Sequence, residues 1–219
     1  MKNILNKATR ALFGLSLGHF ALDLYAAILT PLYPLITSKL SINLAQISLI
    51  IALGHLISSM MQPVFGFIAD KMRHRIFMVW GLILSSIFIP LTIKTNSIFI
   101  FTMFLLLGML GNAFFHPQVS ALVKDFHKQN PNISRAMGVF LGMGTIGYAL
   151  GPYISTFIIQ NWGENNFLYI GLFGLISCIF IYFFVPKMPD RDCYTKENFF
   201  FIMKEILKNK TCVFLTFVS

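Results

Sequence analysis

Six stretches of this sequence are almost uninterrupted in apolar character, and short polar breaks separate them. They run over about 11–37, 44–69, 76–94, 97–122, 136–160 and 166–185. A helix crossing hydrocarbon about 30 Å thick needs roughly 20 such residues, because each adds about 1.5 Å. Backbone groups left unpaired in lipid are costly, so continuous helix is expected inside each stretch. Short breaks make successive helices antiparallel neighbours. The pattern predicts an all-α membrane protein with a six-helix transmembrane bundle over residues 1–185.

The pattern changes after the sixth stretch. Pro186 to Asp192 is a polar breaker; Asn198 to Leu207 then place Phe199, Ile202, Met203, Ile206 and Leu207 at helical spacing, with Lys204, Glu205 and Lys208 among them. This reads as an amphipathic helix at the inner interface, so residues 186–210 are predicted to be a cytoplasmic linker. A last apolar run covers 211–219, enough helix for about 14 Å, or half a bilayer. It reads as the truncated start of a seventh span. The sequence therefore looks like the first part of a longer design: a fragment, the product of a truncated gene, or one piece of a split protein.

Composition narrows the class. Of 219 residues, 56% are hydrophobic, 15% aromatic and 11% charged, where a soluble domain carries about 25% charge. A soluble enzyme, a disordered chain and a collagen-like chain are excluded. The net charge of +9 would suggest nucleic acid in a soluble protein, but its placement gives it another meaning. With the N-terminus inside, the inner segments hold Lys2, Lys7 and Arg10, then Lys71, Arg73 and Arg75, then Lys124, Lys128 and Arg135. The segment after the sixth stretch adds six more, and only Lys39 and Lys94 of the 17 basic residues fall outside. This positive-inside distribution puts the N-terminus in the cytoplasm and makes the lipid bilayer, not nucleic acid, the partner of the charge. Cys178, Cys193 and Cys212 have the spacing of neither a disulfide framework nor a zinc site. The apolar run after Arg10 is too long for a cleavable signal. No cofactor and no metal are predicted.

Ionisable side chains at lipid depth are costly and face a cavity or a partner. The first stretch has His19 and Asp23 four apart, on one helix face; the fourth has Asn112 and His116, also four apart, with Pro117 next. Counting from the inner ends puts His19 level with His116, and Asp23 level with Asn112. If the two helices face one cavity, four polar groups converge. The chemistry this suggests is proton binding, since an Asp beside an imidazole in low dielectric has a strongly displaced proton affinity. The alternative is a structural network that ties helices together. In the second stretch His55, Ser59 and Gln62, with Ser58 adjacent, make one side polar, for a pathway or for packing. In the fifth, Gly138, Gly142, Gly144, Gly147 and Gly151 precede Pro152, a pattern that serves close packing or a bendable gate. The 24 phenylalanines are read as lipid-facing bulk.

Several of these residues resemble the motifs of a known family. Gly66-x-x-x-Asp70-Lys71-x-x-x-Arg75 resembles the loop motif between helices two and three of the major facilitator superfamily, with Arg73, followed by His74, where that motif usually has a glycine. Gly147-x-x-x-Gly151-Pro152 resembles the superfamily's exporter motif, whose closing glycine pair is here Ser155 and Thr156. Within the superfamily, His19-x-x-x-Asp23, Pro31-x-Tyr33-Pro34, Gln62-Pro63 and Phe115-His116-Pro117 resemble the fosmidomycin-resistance group of bacterial efflux proteins. That group usually carries a carboxylate after His-Pro, where this chain has Gln118.

The resemblance implies a transporter of the bacterial inner membrane, not an enzyme, that exports drugs or small anionic compounds in exchange for protons. It implies two six-helix bundles rocking about a central cavity lined by helices one and four, of which this chain supplies the amino-terminal bundle. Asp70, Lys71 and Arg75, with Gly147, Gly151 and Pro152, would form the gate against the other bundle. The partners implied are a small-molecule substrate, protons, and the missing six-helix half or a second copy. Rival readings are a non-transporting fragment, a half-transporter working as a homodimer, and an intramembrane metalloenzyme on His19, Asp23, His55 and His116. Those four lack the repeated spacing of a preformed metal site.

Overall fold

A computed structural model describes residues 2–72, 75–127 and 132–186, with Phe201, Lys204 and Lys208; for residues 2–6, 70–72 and 127 it describes the backbone alone. Residues 1–187 and 188–219 form two compact units. In the second, Phe201, Lys204 and Lys208 are helical. The rest of the expected amphipathic helix and the apolar run from Thr211 lie outside the described residues.

The first unit holds seven α-helices among its described residues: α1 (Lys2–Ala27), α2 (Tyr33–Leu40), α3 (Leu44–Met72), α4 (Ile76–Leu91), α5 (Ile98–His127), α6 (Ile133–Trp162) and α7 (Ile170–Phe184). Six membrane-length spans result, with α1 and α2 sharing the first. The sequence pattern reads straight through residues 11–37, whereas the chain breaks there into a 3-10 turn at Thr30–Leu32. The cause is the Pro31, Pro34 pair: each proline lacks an N–H and disfavours helix at the residue before it. Pro63, Pro90, Pro117 and Pro152 sit instead inside helices.

Local sequence sets the helix ends. Ser41 closes α2 in the left-handed region, with φ 53°, and Ile42 N–H donates back to the Thr37 carbonyl at 3.1 Å. Asn43 and Gln46 then open α3 with a reciprocal capping box: each side chain accepts the other's backbone N–H at 2.9 Å. Gly163, at φ 76°, closes α6.

The first span is the centre of the bundle, with 67% of its most apolar window buried. α1 packs on α5, α6 and α7, α4 on α5 and α7, and α3 on α5. Small residues allow these approaches in lipid. A Cβ on Gly81 of α4 would stand 2.6 Å from the Gly111 carbonyl of α5, and one on Gly151 of α6 would stand 2.7 Å from the Leu24 carbonyl of α1. The phenylalanines divide, contrary to the lipid-bulk reading. Phe101, Phe115, Phe140 and Phe167 are fully buried in the bundle, while Phe99, Phe157 and Phe183 are exposed. An aromatic ring fills interhelical space as readily as it faces lipid.

The end opposite the basic loops is clasped. Lys39 Nζ lies 2.6 Å from Glu164 Oε2 and donates to the Ile93 carbonyl at 2.7 Å, and Lys94 donates to Asn165 Oδ1.

Candidate functional site

α1, α5 and α6 together build a polar cluster inside the bundle. One turn of α1 places His19 and Asp23 on the same side, with Nε2 3.2 Å from Oδ2. His116 of α5 approaches from across, its Nε2 3.5 Å from Asp23 Oδ1. The two imidazole rings meet edge to face at 5.2 Å. α6 closes the cluster from behind. The Phe140 ring stacks on His19 at 4.2 Å, and the Phe140 carbonyl lies 2.9 Å from His19 Nδ1. His19 is buried, while Asp23 and His116 keep 19% and 28% of their side chains exposed.

A backbone carbonyl only accepts, so the contact with Phe140 puts a hydrogen on His19 Nδ1. In a neutral ring Nε2 then carries a lone pair, which would face the carboxylate oxygen of Asp23 at 3.2 Å. Two acceptors do not make a hydrogen bond. An imidazolium at His19 or a carboxylic acid at Asp23 would turn this contact into a hydrogen bond. With the added hydrogen the three side chains sum to zero charge; without it they carry one uncompensated negative charge.

The structure thus brings together three of the four groups expected to converge. Asn112, one turn from His116, lines instead a partly open cleft with Tyr25, Tyr33 and His55. Gln62 is half-buried and Ser59 exposed. The residue joining α3 to its neighbour is Ser58, whose Oγ donates to the Met109 carbonyl at 2.8 Å. Of the glycines before Pro152, a Cβ built on Gly144, Gly147 or Gly151 would collide with His19, Asp23, Phe20 or Leu24 of α1, whereas one built on Gly138 or Gly142 would meet nothing within 4 Å. Ser155 and Thr156 both turn their hydroxyls onto the Pro152 carbonyl at 2.9 Å. Asp70 and Lys71 lie on the last turn of α3, with side chains outside the described residues. Arg75 is engaged inside this bundle: its guanidinium donates to the Tyr182 carbonyl at 3.0 Å and to the Val185 carbonyl, at the last turn of α7. A cation there suits the negative end of the helix. Gln118 points away from the cluster, its Oε1 accepting the Met78 N–H at 2.8 Å near the start of α4.

Sequence reasoning missed the Phe140 carbonyl, Gly144 as the wall of the cluster, and Tyr25. The Tyr25 hydroxyl donates to the Ile170 carbonyl at 2.9 Å and accepts the Gly174 N–H at 2.8 Å. It thereby stands between two groups that a helix normally pairs with each other. A tyrosine at lipid depth with no polar neighbour in sequence is the only signal that could have pointed to it. As for metal, His19, Asp23 and His116 offer one donor atom each within 4.8 Å of one another; His55 does not belong to that group.

Comparison with known proteins agrees with this architecture. The chain is 27% identical over 169 residues to the fosmidomycin resistance protein of Escherichia coli, covering 75% of this chain and 40% of that one. It is 25% identical over 211 residues to the multidrug resistance protein MdtG of Yersinia enterocolitica, covering 94% and 48%. It is 28% identical over 161 residues to the probable nitrate transporter NarT of Staphylococcus aureus, covering 70% and 40%. The chain spans less than half the length of each of these relatives. The model of the Major Facilitator Superfamily matches residues 15–219, and the chain belongs to that superfamily.

Proposed function

We propose that this chain is the proton-binding bundle of a bacterial plasma-membrane exporter, which carries a drug or small anionic compound outward in exchange for protons. The observation that supports this is the convergence of His19, Asp23 and His116 inside the bundle, with His19 Nε2 3.2 Å and His116 Nε2 3.5 Å from the Asp23 carboxylate. Occupied by a proton, the cluster is neutral and compatible with lipid depth; emptied, it carries a charge that favours an arrangement open to water. Each occupancy thus favours a different facing state, and substrate binding selects between them. At a potential of ~100 mV one charge crossing contributes about 2.3 kcal/mol.

The reading needs a second wall for the cavity. The spans least covered by the rest of the bundle are those of α3 and α6, with 17% and 22% of their apolar windows buried. Both present large apolar side chains outward, among them Leu53, Leu56, Met60, Ile146, Tyr148 and Tyr153. A second six-helix bundle, or a second copy of this chain, is the partner we assign to those faces. A non-transporting fragment is the rival. Blue-native mass separates the homodimer from a larger hetero-assembly and from a monomer.

The test is flux in everted membrane vesicles, with fosmidomycin, the compound in the name of one relative, as the first probe and a general drug panel after it. The expected result is uptake that collapses when the pH gradient is dissipated, and that is absent in Asp23→Asn. Uptake indifferent to both the gradient and the substitution would defeat the proposal.

A further inference from the structure

The gap between His19 and Asp23 has the dimensions of a coordination site as well as those of a proton's seat. We infer that His19 Nε2, an Asp23 carboxylate oxygen and His116 Nε2 bind a divalent transition-metal ion of the zinc or cobalt type. Imidazole nitrogens and carboxylate oxygens bind zinc at about 2.0–2.2 Å in a tetrahedral array, which sets neighbouring donor atoms about 3.3 Å apart. His19 Nε2 is 3.2 Å from Asp23 Oδ2, and His116 Nε2 is 3.5 Å from the other carboxylate oxygen, Oδ1, so the carboxylate lies between the two rings. One donor from each residue lies within 4.8 Å of the others.

The surroundings match on three further counts. Metal-binding histidines are oriented by an acceptor on the second ring nitrogen, and the Phe140 carbonyl holds His19 Nδ1 in that way at 2.9 Å. Two imidazoles and one carboxylate suit zinc, cobalt, nickel and copper better than magnesium or calcium. The exposed sides of Asp23 and His116 leave an entry path and a fourth coordination position. The inference uses the side chains of the proton reading but does not depend on transport.

The experiment is titration of the detergent-purified chain with cobalt(II) alone. The expected result is one ion per chain, with the intense visible absorption of a four-coordinate site, reversed by zinc. Asp23→Asn and His116→Gln should each weaken binding by about 100-fold or more, while His55→Gln leaves it unchanged. Circular dichroism and a single elution peak establish that each variant is folded, and the wild-type spectrum decides the matter if one is not. No four-coordinate spectrum in the wild-type chain, or equal weakening by His55→Gln, overturns the inference. Gradient-driven flux without cobalt binding would remove the metal and leave the exporter reading. Cobalt binding in a protein whose flux ignores the gradient would do the reverse.

Discussion

Gly144 of α6 stands against Asp23 of α1 with no room for a side chain between them. A methyl group built on Gly144 would lie 2.5 Å from Asp23 Oδ2 and 2.5 Å from His19 Cε1. Two residues away, a methyl group built on Gly142 would meet nothing within 4 Å. Gly144→Ala is therefore expected to destabilise the bundle by about 1–3 kcal/mol through overpacking and to separate His19 from Asp23. Gly142→Ala should be neutral, or stabilising by up to about 1 kcal/mol through helix propensity. Thermal unfolding of the two variants in one detergent compares them directly, and equal shifts would contradict the packing described.

Tyr25→Phe removes a hydroxyl and nothing else. Its partners, the Ile170 carbonyl and the Gly174 N–H, are both in the first turn of α7. Leaving them unsatisfied should cost about 1–3 kcal/mol, unless they close the gap and pair with each other. Hydrogen exchange at Gly174 separates the two results: faster exchange in Tyr25→Phe marks an opened turn, and unchanged protection marks a repaired one.

Gln118 accepts the Met78 N–H near the start of α4, where the helix end is positive. Gln118→Glu keeps an acceptor at that place, although the position is buried, and should cost less than a substitution that removes the acceptor. Gln118→Leu leaves a buried donor unpaired and should cost about 1–3 kcal/mol. Denaturation midpoints for the two variants, measured together, check the order.

The Lys39–Glu164 pair is short but retains 24% and 35% side-chain exposure. A double-mutant cycle with Lys39→Met and Glu164→Gln should give a coupling below about 1 kcal/mol. Lys39→Met alone should cost more than Glu164→Gln, because Lys39 also holds the Ile93 carbonyl at 2.7 Å. The reverse order would place the stabilisation in the ion pair.

Much of this was legible from spacing alone, for physical reasons. Spans announce themselves because lipid leaves no alternative to apolar helix, and the expected boundaries fall within a few residues of those observed at α3 and α4. His19, Asp23 and His116 could be grouped because i to i+4 spacing and depth counting are properties of any helix. The Phe140 carbonyl could not, since a backbone oxygen 121 residues from its partner leaves no trace in residue type. Asn112 shows the limit of depth counting, which fixes height but not rotation about the helix axis. Ser58 and Ser59 make the same point: adjacent in sequence, they point about 100° apart, and only Ser58 meets α5.

The clasp of Arg75 on the end of α7 has a consequence for how the bundle deforms. At one extremity Arg75 fastens the start of α4 to the Tyr182 and Val185 carbonyls; at the other, Lys94 fastens the turn after α4 to Asn165, just before α7. Between these pins Gly171 and Gly174 of α7 rest on Ser86 of α4. Sliding one helix along the other would break both pins at once, so the pair acts as a single strut spanning the full thickness of the protein. α6, the helix that carries the oxygen holding His19 in place, stands outside that strut.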